Sequence, residues 1–424
     1  MNLALFTNTY APFIGGVARS VQTLENECRT RGHEVAVVAP EFDGAAPAGH
    51  VLRVPAIQDF NGSGFCVRIP LPNLVRDFID DFCPDLIHSH HPFLLGDAAL
   101  REAWKMRVPL VFTHHTLYEQ YTHYLPLDSP ALRRAAIQLD TEYCNLCDRI
   151  IAPSGSVREL LVSRGVETPV EVIPTGICLD DFASGDRARG REKHGIPADA
   201  KVVGHVGRLA NEKNLPFLAE AVIDALRQRD DAVFLLVGDG DAREAVETTL
   251  RDALGERVFV VGGQSGQDLF DAYAAMDLFA FSSQSETQGM VLAEAMAAGL
   301  PVVALDGPGV RDIVVDGKNG RLLDAAAGSS ELALAVTDFL DDPGLPTAWR
   351  EAALARAEDF GTEACVEEML ACYGRAIADY EHRRSEDLGV FQRLLDGAEA
   401  EWDLMSAKLA AAAAAAVSPL VPET

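Results

Sequence analysis

Two glutamates and a predicted helix start share one short segment of the chain. Glu286 and Glu294 lie in the run SETQGMVLAEAMAAG, the first in a loop after an apolar strand and the second inside an amphipathic helix. That helix is predicted to begin near Gly289, so the N–H groups of Gly289, Met290 and Val291 would lack helical partners and would face an anion. Carboxylates accept hydrogen bonds from sugar and ribose hydroxyls. The segment therefore predicts contacts to an anion and to sugar hydroxyls.

A second segment supplies cations. Arg208 and Lys213 lie in the run GRLANEKN, directly after a buried strand. Side chains at this position project from the carboxyl end of a parallel sheet, where open α/β domains bind ligands. A guanidinium and an ammonium are well matched to a diphosphate. The alternative is a solvated loop in which Glu212 pairs with a neighbour.

The first turn of the chain carries a glycine pair. Gly15 and Gly16 precede a helix predicted over residues 17–31, so backbone N–H groups and the helix N-terminus could approach an anion there. A plain tight turn would need the same glycines. The spacing is neither a Walker loop nor G-x-G-x-x-G.

Histidines gather at the ends of two predicted strands of the first half: His88, His90, His91, His114 and His115. A metal site is the obvious alternative, but the H-x3-H helical spacing of zinc enzymes is missing. The pair Asp239-Gly-Asp241 ends a strand and is predicted to form a turn. Cys144 and Cys147 share one face of a helix, which favours core packing. No metal site is predicted.

Short apolar strands alternate with helical patterns through most of the chain, as in parallel sheets covered by helices on both faces. The predicted strands span residues 3–6, 35–39, 51–54, 86–88, 110–113, 150–152, 170–173, 202–207, 233–237, 258–261, 278–281 and 302–304. The segment 174–200 is rich in glycine and charge and is predicted to be a linker. We expect two doubly wound α/β domains facing a cleft.

The end of the chain departs from this alternation. Beyond about residue 385 an apolar stripe recurs at spacings of four and three, which predicts an appended helix that docks on the body or joins two copies of the chain. The expected domains are residues 1–178 and 179–365, followed by a helix over 366–385 that returns to the first domain and a helical tail over 386–424.

The charge balance excludes some partners. The 424 residues include 36 Lys plus Arg and 64 Asp plus Glu, a net charge of −28 that disfavours nucleic acid. Residues 1–178 hold 14 basic and 20 acidic groups, so contact with an anionic surface would fall to the first half. A basic leader and a membrane-spanning apolar run are both absent from the sequence, which predicts a cytoplasmic protein.

Four patterns in order resemble the retaining glycosyltransferases of GT-B fold, in the large family 4 group. They are the early Gly15-Gly16 turn, the run PTGICLDDF from Pro174, the run GRLANEKN from Gly207, and the E-x7-E spacing of Glu286 and Glu294. The resemblance covers about residues 1 to 380 and implies two Rossmann-like domains with a cleft and a helical extension. It also implies a hexose taken from a nucleoside-diphosphate sugar, without a cofactor and without a metal.

The resemblance assigns roles to residues. Arg208 and Lys213 would hold the donor diphosphate, Glu294 the ribose and Glu286 a sugar hydroxyl, with the backbone of Gly289, Met290 and Val291 against sugar and phosphate. Gly15 and Gly16 would close over the donor. His115 matches the histidine that lies near the transferred sugar. The expected catalytic set is therefore His115, Arg208, Lys213 and Glu286.

The acceptor side resembles one branch of the family, which glucosylates diacylglycerol. The run HTLYEQYTHY from His115 implies an acceptor site containing Tyr118, Tyr121 and His123, with UDP-glucose as donor and peripheral contact of the first domain with the inner face of the membrane. That branch has a basic membrane-facing patch, whereas residues 60–135 here hold seven basic and eight acidic groups.

Two alternatives stay open at this point. One keeps the fold and transfers mannose or galactose to a polyprenyl-linked, inositol or soluble sugar acceptor. The other is a subunit that binds a sugar nucleotide without catalysis.

Overall fold

The chain divides into two compact α/β units. The computed structural model describes residues 1–13, 15–42, 44–45, 47–57, 67–68, 72–122, 129–227, 229–342 and 345–386. Of the described residues, unit 1 contains those of 1–174 and 365–386, and unit 2 contains those of 175–364. The chain therefore leaves unit 1 once, builds unit 2 and returns.

Unit 1 is built on a parallel sheet. Within the described residues its strands are β1 (Asn2–Phe6), β2 (Glu34–Pro40), β3 (Val51–Val54), the short antiparallel pair β4 (Ala56–Ile57) and β5 (Val67–Arg68), β6 (Leu86–Ser89), β7 (Leu110–Thr113), β8 (Arg149–Ala152) and β9 (Val170–Val172). The parallel sheet has the order β3-β2-β1-β6-β7-β8-β9. Its helices are α1 (Gly16–Thr30), α2 (Pro72–Phe82), α3 (Leu95–Met106), α4 (Pro130–Asn145) and α5 (Gly155–Ser163). Apolar clusters cover both faces of the sheet, as parallel strands require.

Unit 2 repeats this plan. Its described strands are β10 (Lys201–Val206), β11 (Ala232–Val237), β12 (Val258–Val260), β13 (Leu278–Phe281), β14 (Val302–Leu305) and β15 (Gly320–Leu323), in the order β12-β11-β10-β13-β14-β15. The helices are α6 (Leu179–Ala183), α7 (Arg187–His194), α8 (Leu215–Leu226), α9 (Arg243–Leu254), α10 (Gln267–Ala274), α11 (Met290–Ala297), α12 (Ser329–Asp341) and α13 (Leu345–Ala357). The predicted class of two doubly wound α/β domains is confirmed, although β15 is absent from the predicted strands.

The strand order of each sheet reverses at one point. In unit 1 the reversal lies between β1 and β6, and in unit 2 between β10 and β13. At such a point the loops after neighbouring strands leave toward opposite faces, which opens a crevice beyond the carboxyl ends. The sequence segments that carry the candidate residues follow these strands.

The prediction of a linker over residues 174–200 is wrong over 179–194, because most of that stretch forms α6 and α7. A Cβ on Gly190 would lie 2.2 Å from the carbonyl oxygen of Asp271, so this glycine brings α7 into backbone contact with α10. Arg191 is buried and donates to Asp277 at 3.0 Å. The glycines and charges therefore serve close packing and internal ion pairs.

The chain returns to unit 1 as α14 (Thr362–Glu386). Val366, Met369 and Tyr373 of this helix belong to the same apolar cluster as Leu3 and Val37 of the unit 1 sheet. At the edge of the sheet, Arg149 pairs with Glu171 at 2.5 Å and Arg375 pairs with the same carboxylate. The helix thus forms part of the unit 1 core.

The predicted tail over 386–424, with its apolar stripe, lies outside the described residues from 387 onward. Among the helices that the structure describes, none combines the length and the apolar character needed to cross a bilayer.

Candidate active site

The loop after β10 carries the predicted cations of unit 2. Arg208 is half-exposed and forms an ion pair with Glu212, so the alternative pairing of Glu212 is present in the structure. A single helical turn over Asn211–Lys213 then leads into α8, with Asn214 at a left-handed φ of 55°. This turn places Lys213 beside the loop that follows β13.

Lys213 and Glu286 meet across the switch point of unit 2. The Lys213 Nζ lies 2.5 Å from Glu286 Oε1, and the Ser283 hydroxyl donates to the same oxygen at 2.7 Å. Burial alone would raise the pKa of Glu286, but the Lys213 ammonium and the Ser283 hydroxyl together hold that pKa below its ordinary value. Glu286 is therefore a carboxylate at neutral pH, and its charge is matched by one neighbouring cation.

Helix α11 begins beside this pair. Gly289 has a φ of 79°, in the left-handed region, and forms the N-cap of the helix that starts at Met290. The first N–H groups of a helix have no partner within it and carry partial positive charge, which attracts anions. The structure therefore places a helix N-terminus, a lysine and a carboxylate at the carboxyl end of one sheet, as the sequence predicts.

Glu294 faces the interior of unit 2. Its side chain is buried and accepts a hydrogen bond of 2.7 Å from the hydroxyl of Tyr273, a fully buried residue of α10. Glu286 and Glu294 are therefore held by different partners. Sequence reasoning missed Tyr273, although a tyrosine in an apolar helix needs a polar partner for its hydroxyl, and this is a usable signal.

His205 is a second residue that sequence reasoning missed. Its ring is buried on β10, stacks on Phe279 and Phe281 at centroid distances of 5.9 and 5.8 Å, and bonds through Nδ1 to the Ala280 carbonyl at 3.0 Å. Burial lowers its pKa to about 4. Because a neutral ring that donates from Nδ1 has a bare lone pair on Nε2, this atom is an acceptor beside the Gly207 loop.

The predicted glycine pair of unit 1 lies at the start of α1. Gly15 is the N-cap, in an extended conformation, and a Cβ there would lie 2.8 Å from the ring of Phe13. Gly16 is the first residue of the helix. The glycines therefore form a helix entrance, and their contact with a donor stays a prediction.

Two of the five histidines of unit 1, His88 and His91, bond to groups other than histidines. His88 bonds to Tyr373 at 2.6 Å and to Thr113 at 2.7 Å, and His91 Nδ1 accepts from the backbone N–H of Asn8 at 3.0 Å. Burial lowers the pKa of both His88 and His91 to about 3. No group of three metal-binding side chains occurs in the described part of the chain. These two histidines therefore act as neutral hydrogen-bonding groups of the core.

The remaining three histidines follow β6 and β7. One imidazole N–H is shared between His90 Nδ1 and His115 Nε2 at 2.9 Å, while buried His114 donates to Asp140 at 2.6 Å. Burial and the neighbouring imidazoles hold the pKa of His90 and of His115 well below the ordinary value. His115 is thus a neutral, half-buried imidazole suited to a hydrogen bond with a hydroxyl group.

The predicted acceptor residues follow His115. Tyr118 lies in a short helical turn, and its ring packs at 5.1 Å from the ring of Phe93 and 6.4 Å from that of His114. Tyr121 closes the turn and is half-buried. His123 lies outside the described residues. The structure therefore brings Tyr118 together with the end of β7, which carries His114 and His115.

Two sequence features prove to be structural. Asp239 pairs with Arg243 and accepts the N–H of Gly263 at 2.5 Å, so it stabilises a turn. Cys144 and Cys147 are buried in the unit 1 core, as predicted.

Comparison with known proteins identifies the family. The profile of Glycosyltransferase Family 4 matches residues 14–181, and that of Glycosyl transferases group 1 matches residues 186–356. A GDP-mannose-dependent alpha-mannosyltransferase of Mycolicibacterium smegmatis is 31% identical over 347 residues, which is 80% of this chain and 89% of that protein. The chain belongs to the family 4 glycosyltransferases. The enzyme therefore takes a sugar from a nucleotide-sugar donor.

Two further similarities agree with this family assignment. An alpha-monoglucosyldiacylglycerol synthase of Streptococcus pneumoniae is 29% identical over 354 residues, or 80% of this chain and 78% of that protein. The sucrose-phosphate synthase structure from Thermosynechococcus elongatus superposes with a TM-score of 0.73 at 22% identity, covering 89% of this chain and 99% of that one. The two Rossmann-like units thus belong to the GT-B fold, and the resemblance seen in the sequence is confirmed.

Proposed function

We propose that this glycosyltransferase moves glucose from UDP-glucose to diacylglycerol or a related lipid, with retention at the anomeric carbon. The observation that carries the donor half is the Lys213–Glu286 pair beside the N-terminus of α11. A doubly negative diphosphate at this switch point would meet a lysine, the nearby Arg208 and the first N–H groups of a helix. Each side-chain cation has a carboxylate partner in the structure, Glu212 for Arg208 and Glu286 for Lys213, so a bound diphosphate would share these cations with the two carboxylates.

The proposed chemistry follows from where charge develops. As the bond between the anomeric carbon and the phosphate oxygen breaks, negative charge grows on the leaving diphosphate. Arg208, Lys213 and the α11 N–H groups are fixed donors that stabilise this charge more in the transition state than in the ground state. Glu286 accepts a hydroxyl of the sugar, and Glu294, held by Tyr273, accepts the ribose hydroxyls.

Retention does not require a carboxylate nucleophile in this proposal. A retaining pair of carboxylates works at about 5 Å, with one group attacking the sugar. Glu286 is bound to Lys213 and Ser283, whereas Glu294 is bound to Tyr273 in the core, so the two do not form a matched pair. We therefore favour attack of the acceptor on the same face that the diphosphate leaves, with His115 bonding to a sugar hydroxyl.

The acceptor half rests on unit 1. Similarity to the glucosyldiacylglycerol synthase extends over 80% of the chain, and the segment from His115 to Tyr121 supplies an imidazole and two phenols near the end of β7. We propose that Tyr118, Tyr121 and His123 contact the acceptor. A lipid would be met at the inner face of the membrane through unit 1, the less acidic half of the chain.

A second candidate is mannosyl transfer from GDP-mannose. It is favoured by the mycobacterial mannosyltransferase, which is 31% identical over 80% of this chain. The phosphate contacts would be the same for both donors, since they involve only the diphosphate.

Radiolabelled transfer tests both candidates. The purified enzyme is incubated with UDP-glucose, UDP-galactose or GDP-mannose, and with diacylglycerol vesicles, polyprenyl phosphate, inositol phosphate or soluble sugars. We expect glucose on diacylglycerol, with activity in excess EDTA within about twofold of that in magnesium, because side chains and a helix end supply the positive charge. Mannose transfer alone would select the second candidate. If the protein neither transfers nor hydrolyses any of these donors, the result would support a non-catalytic subunit.

A further inference from the structure

The side chain of Gln288 connects the donor loop to the point where the chain enters unit 2. Gln288 lies two residues after Glu286 and one before Gly289, and 4% of its surface is exposed. Its Oε1 accepts the backbone N–H of Thr175 at 2.7 Å, and its Nε2 donates to the carbonyl of Thr175 at 2.9 Å. One amide thus satisfies both backbone groups of a residue 113 positions earlier in the chain.

The segment that follows Thr175 is held by backbone contacts with residues 360–362. Ile177 donates to the Phe360 carbonyl at 2.8 Å, and Thr362 donates back to the Ile177 carbonyl at 3.1 Å. A Cβ on Gly176 would lie 2.5 Å from the Cα of Thr362, so only glycine allows this approach. Two backbone hydrogen bonds therefore tie the segment that enters unit 2 to the segment that leaves it.

The backbone of the donor loop is supported from its other side. A Cβ on Gly309, whose φ is 74°, would lie 2.8 Å from the backbone nitrogen of Gln288. This close backing leaves the Gln288 backbone little freedom to move. A shift of the Glu286–Gly289 loop would therefore act on Thr175 directly, because both amide bonds of Gln288 would have to follow or break.

We propose that Gln288 is a positioning residue that couples occupancy of the donor site to the Thr175 segment joining the two units. The inference rests on the proposed donor role of the Glu286–Gly289 loop. A diphosphate that binds Lys213 and the α11 N-terminus fixes this loop, and the paired hydrogen bonds carry the constraint to Thr175. A ligand couples two sites only if it prefers one arrangement of the residue that connects them. Here that residue is Gln288, whose side-chain amide bonds twice to Thr175.

Hydrogen exchange at Thr175 reports on the proposal directly, since its N–H donates to Gln288. Exchange is followed by mass spectrometry in peptides covering residues 173–178 and 283–292, with and without UDP or GDP. In the wild-type enzyme we expect the nucleotide to slow exchange in both peptides, by about fivefold at 173–178, the lower end of typical coupling.

Gln288→Met keeps the length of the side chain and removes both hydrogen bonds. We expect it to abolish the nucleotide response at 173–178 while the response at 283–292 remains. It should fold, because half-exposed Thr175 can bond to water instead. The matched control is Gln284→Met in the same loop, whose amide donates to the Ala325 carbonyl at 2.7 Å and should leave the Thr175 response intact.

The outcomes distinguish failure of the coupling from failure of the proposed donor site. Protection at 283–292 without protection at 173–178 in the wild type would overturn the coupling alone, as would an unchanged response in Gln288→Met. No protection of either peptide would remove the donor site and the coupling together.

Discussion

Lys213 serves two anions in the proposed reaction. In the structure it neutralises Glu286 at 2.5 Å, and in turnover it must also meet the donor diphosphate. Loss of the lysine would therefore have two effects: the ligand would lose a cation, and the half-buried Glu286 carboxylate next to it would lose its counter-charge. Both effects weaken binding of an anion whose charge is increasing.

Replacement of Lys213 by alanine should lower kcat/KM for the donor by about 2 to 4 kcal/mol of transition-state stabilisation. Adding Glu286→Gln to this variant should restore part of the affinity for the free nucleoside diphosphate, because the repulsion is removed. Steady-state kinetics and calorimetry measure the two quantities. Lys193→Ala, which breaks a surface pair with Asp268, is the control and should match the wild type. Wild-type turnover in Lys213→Ala would refute the diphosphate assignment.

Much of the donor site can be predicted from sequence because its residues follow strands directly. Arg208 and Glu286 each come a few positions after an apolar run, so chain order alone places them at one sheet edge. The hydrogen-bond partners of Glu294 and Gln288 cannot be predicted in this way. The bond between Tyr273 and Glu294 joins residues 21 positions apart on different helices, and that between Gln288 and Thr175 joins residues 113 positions apart.

At the scale of elements, glycines have opposite roles in two helices. Gly190 in α7 lies against the backbone of α10, where a Cβ would be 2.2 Å from a carbonyl oxygen. Gly374 in α14 has no atom within 4 Å of the position its Cβ would take. Replacing glycine by alanine therefore causes a steric clash in α7 and none in α14.

Gly190→Ala should destabilise unit 2, because α7 must move away from α10. That movement weakens the ion pairs of Arg189 with Asp271 and of Arg191 with Asp277. Gly374→Ala should stabilise unit 1 by about 0.5 to 1 kcal/mol, because alanine loses less backbone entropy in a helix. Urea unfolding of the two variants measures both effects. A Gly190→Ala protein as stable as the wild type would show that the helices separate without cost.

Gly190 also explains why the sequence pattern predicts a linker where helices form. Glycine and charge in residues 174–200 are typical of a flexible connection, and the pattern is identical when glycine permits close helix contact. Only the neighbouring helix distinguishes the two cases, and α10 lies about 80 residues further along the chain.

At the scale of the whole molecule, both units contain histidines that stay neutral. Burial holds the pKa of His88 and His91 in unit 1 at about 3 and that of His205 in unit 2 at about 4. The unfolded chain protonates these groups near pH 6.5. Between that pH and the folded values the unfolded state binds more protons, so acidification destabilises the fold, and the loss levels off below about pH 3 to 4.

The free energy of unfolding should fall by about 2 kcal/mol for each of these histidines between pH 7 and pH 5. His205→Phe keeps an aromatic ring against Phe279 and Phe281 and removes the titrating group. It should lose some stability at both pH values, because the bond to the Ala280 carbonyl is gone, and show a smaller difference between them. Thermal unfolding at the two pH values provides the measurement. An equal pH dependence in variant and wild type would contradict the assignment.

The return of α14 to unit 1 sets the order in which the enzyme can be completed on the ribosome. Residues 1–174 emerge first, but the apolar cluster around Leu3 and Val37 lacks the contribution of Val366, Met369 and Tyr373 until nearly two hundred further residues have been made. At about 5 to 20 residues per second, this interval lasts roughly 10 to 40 s. Unit 2, whose residues are continuous, can fold during that time, so the nascent first half must remain soluble while the part of its sheet that α14 will cover is still exposed.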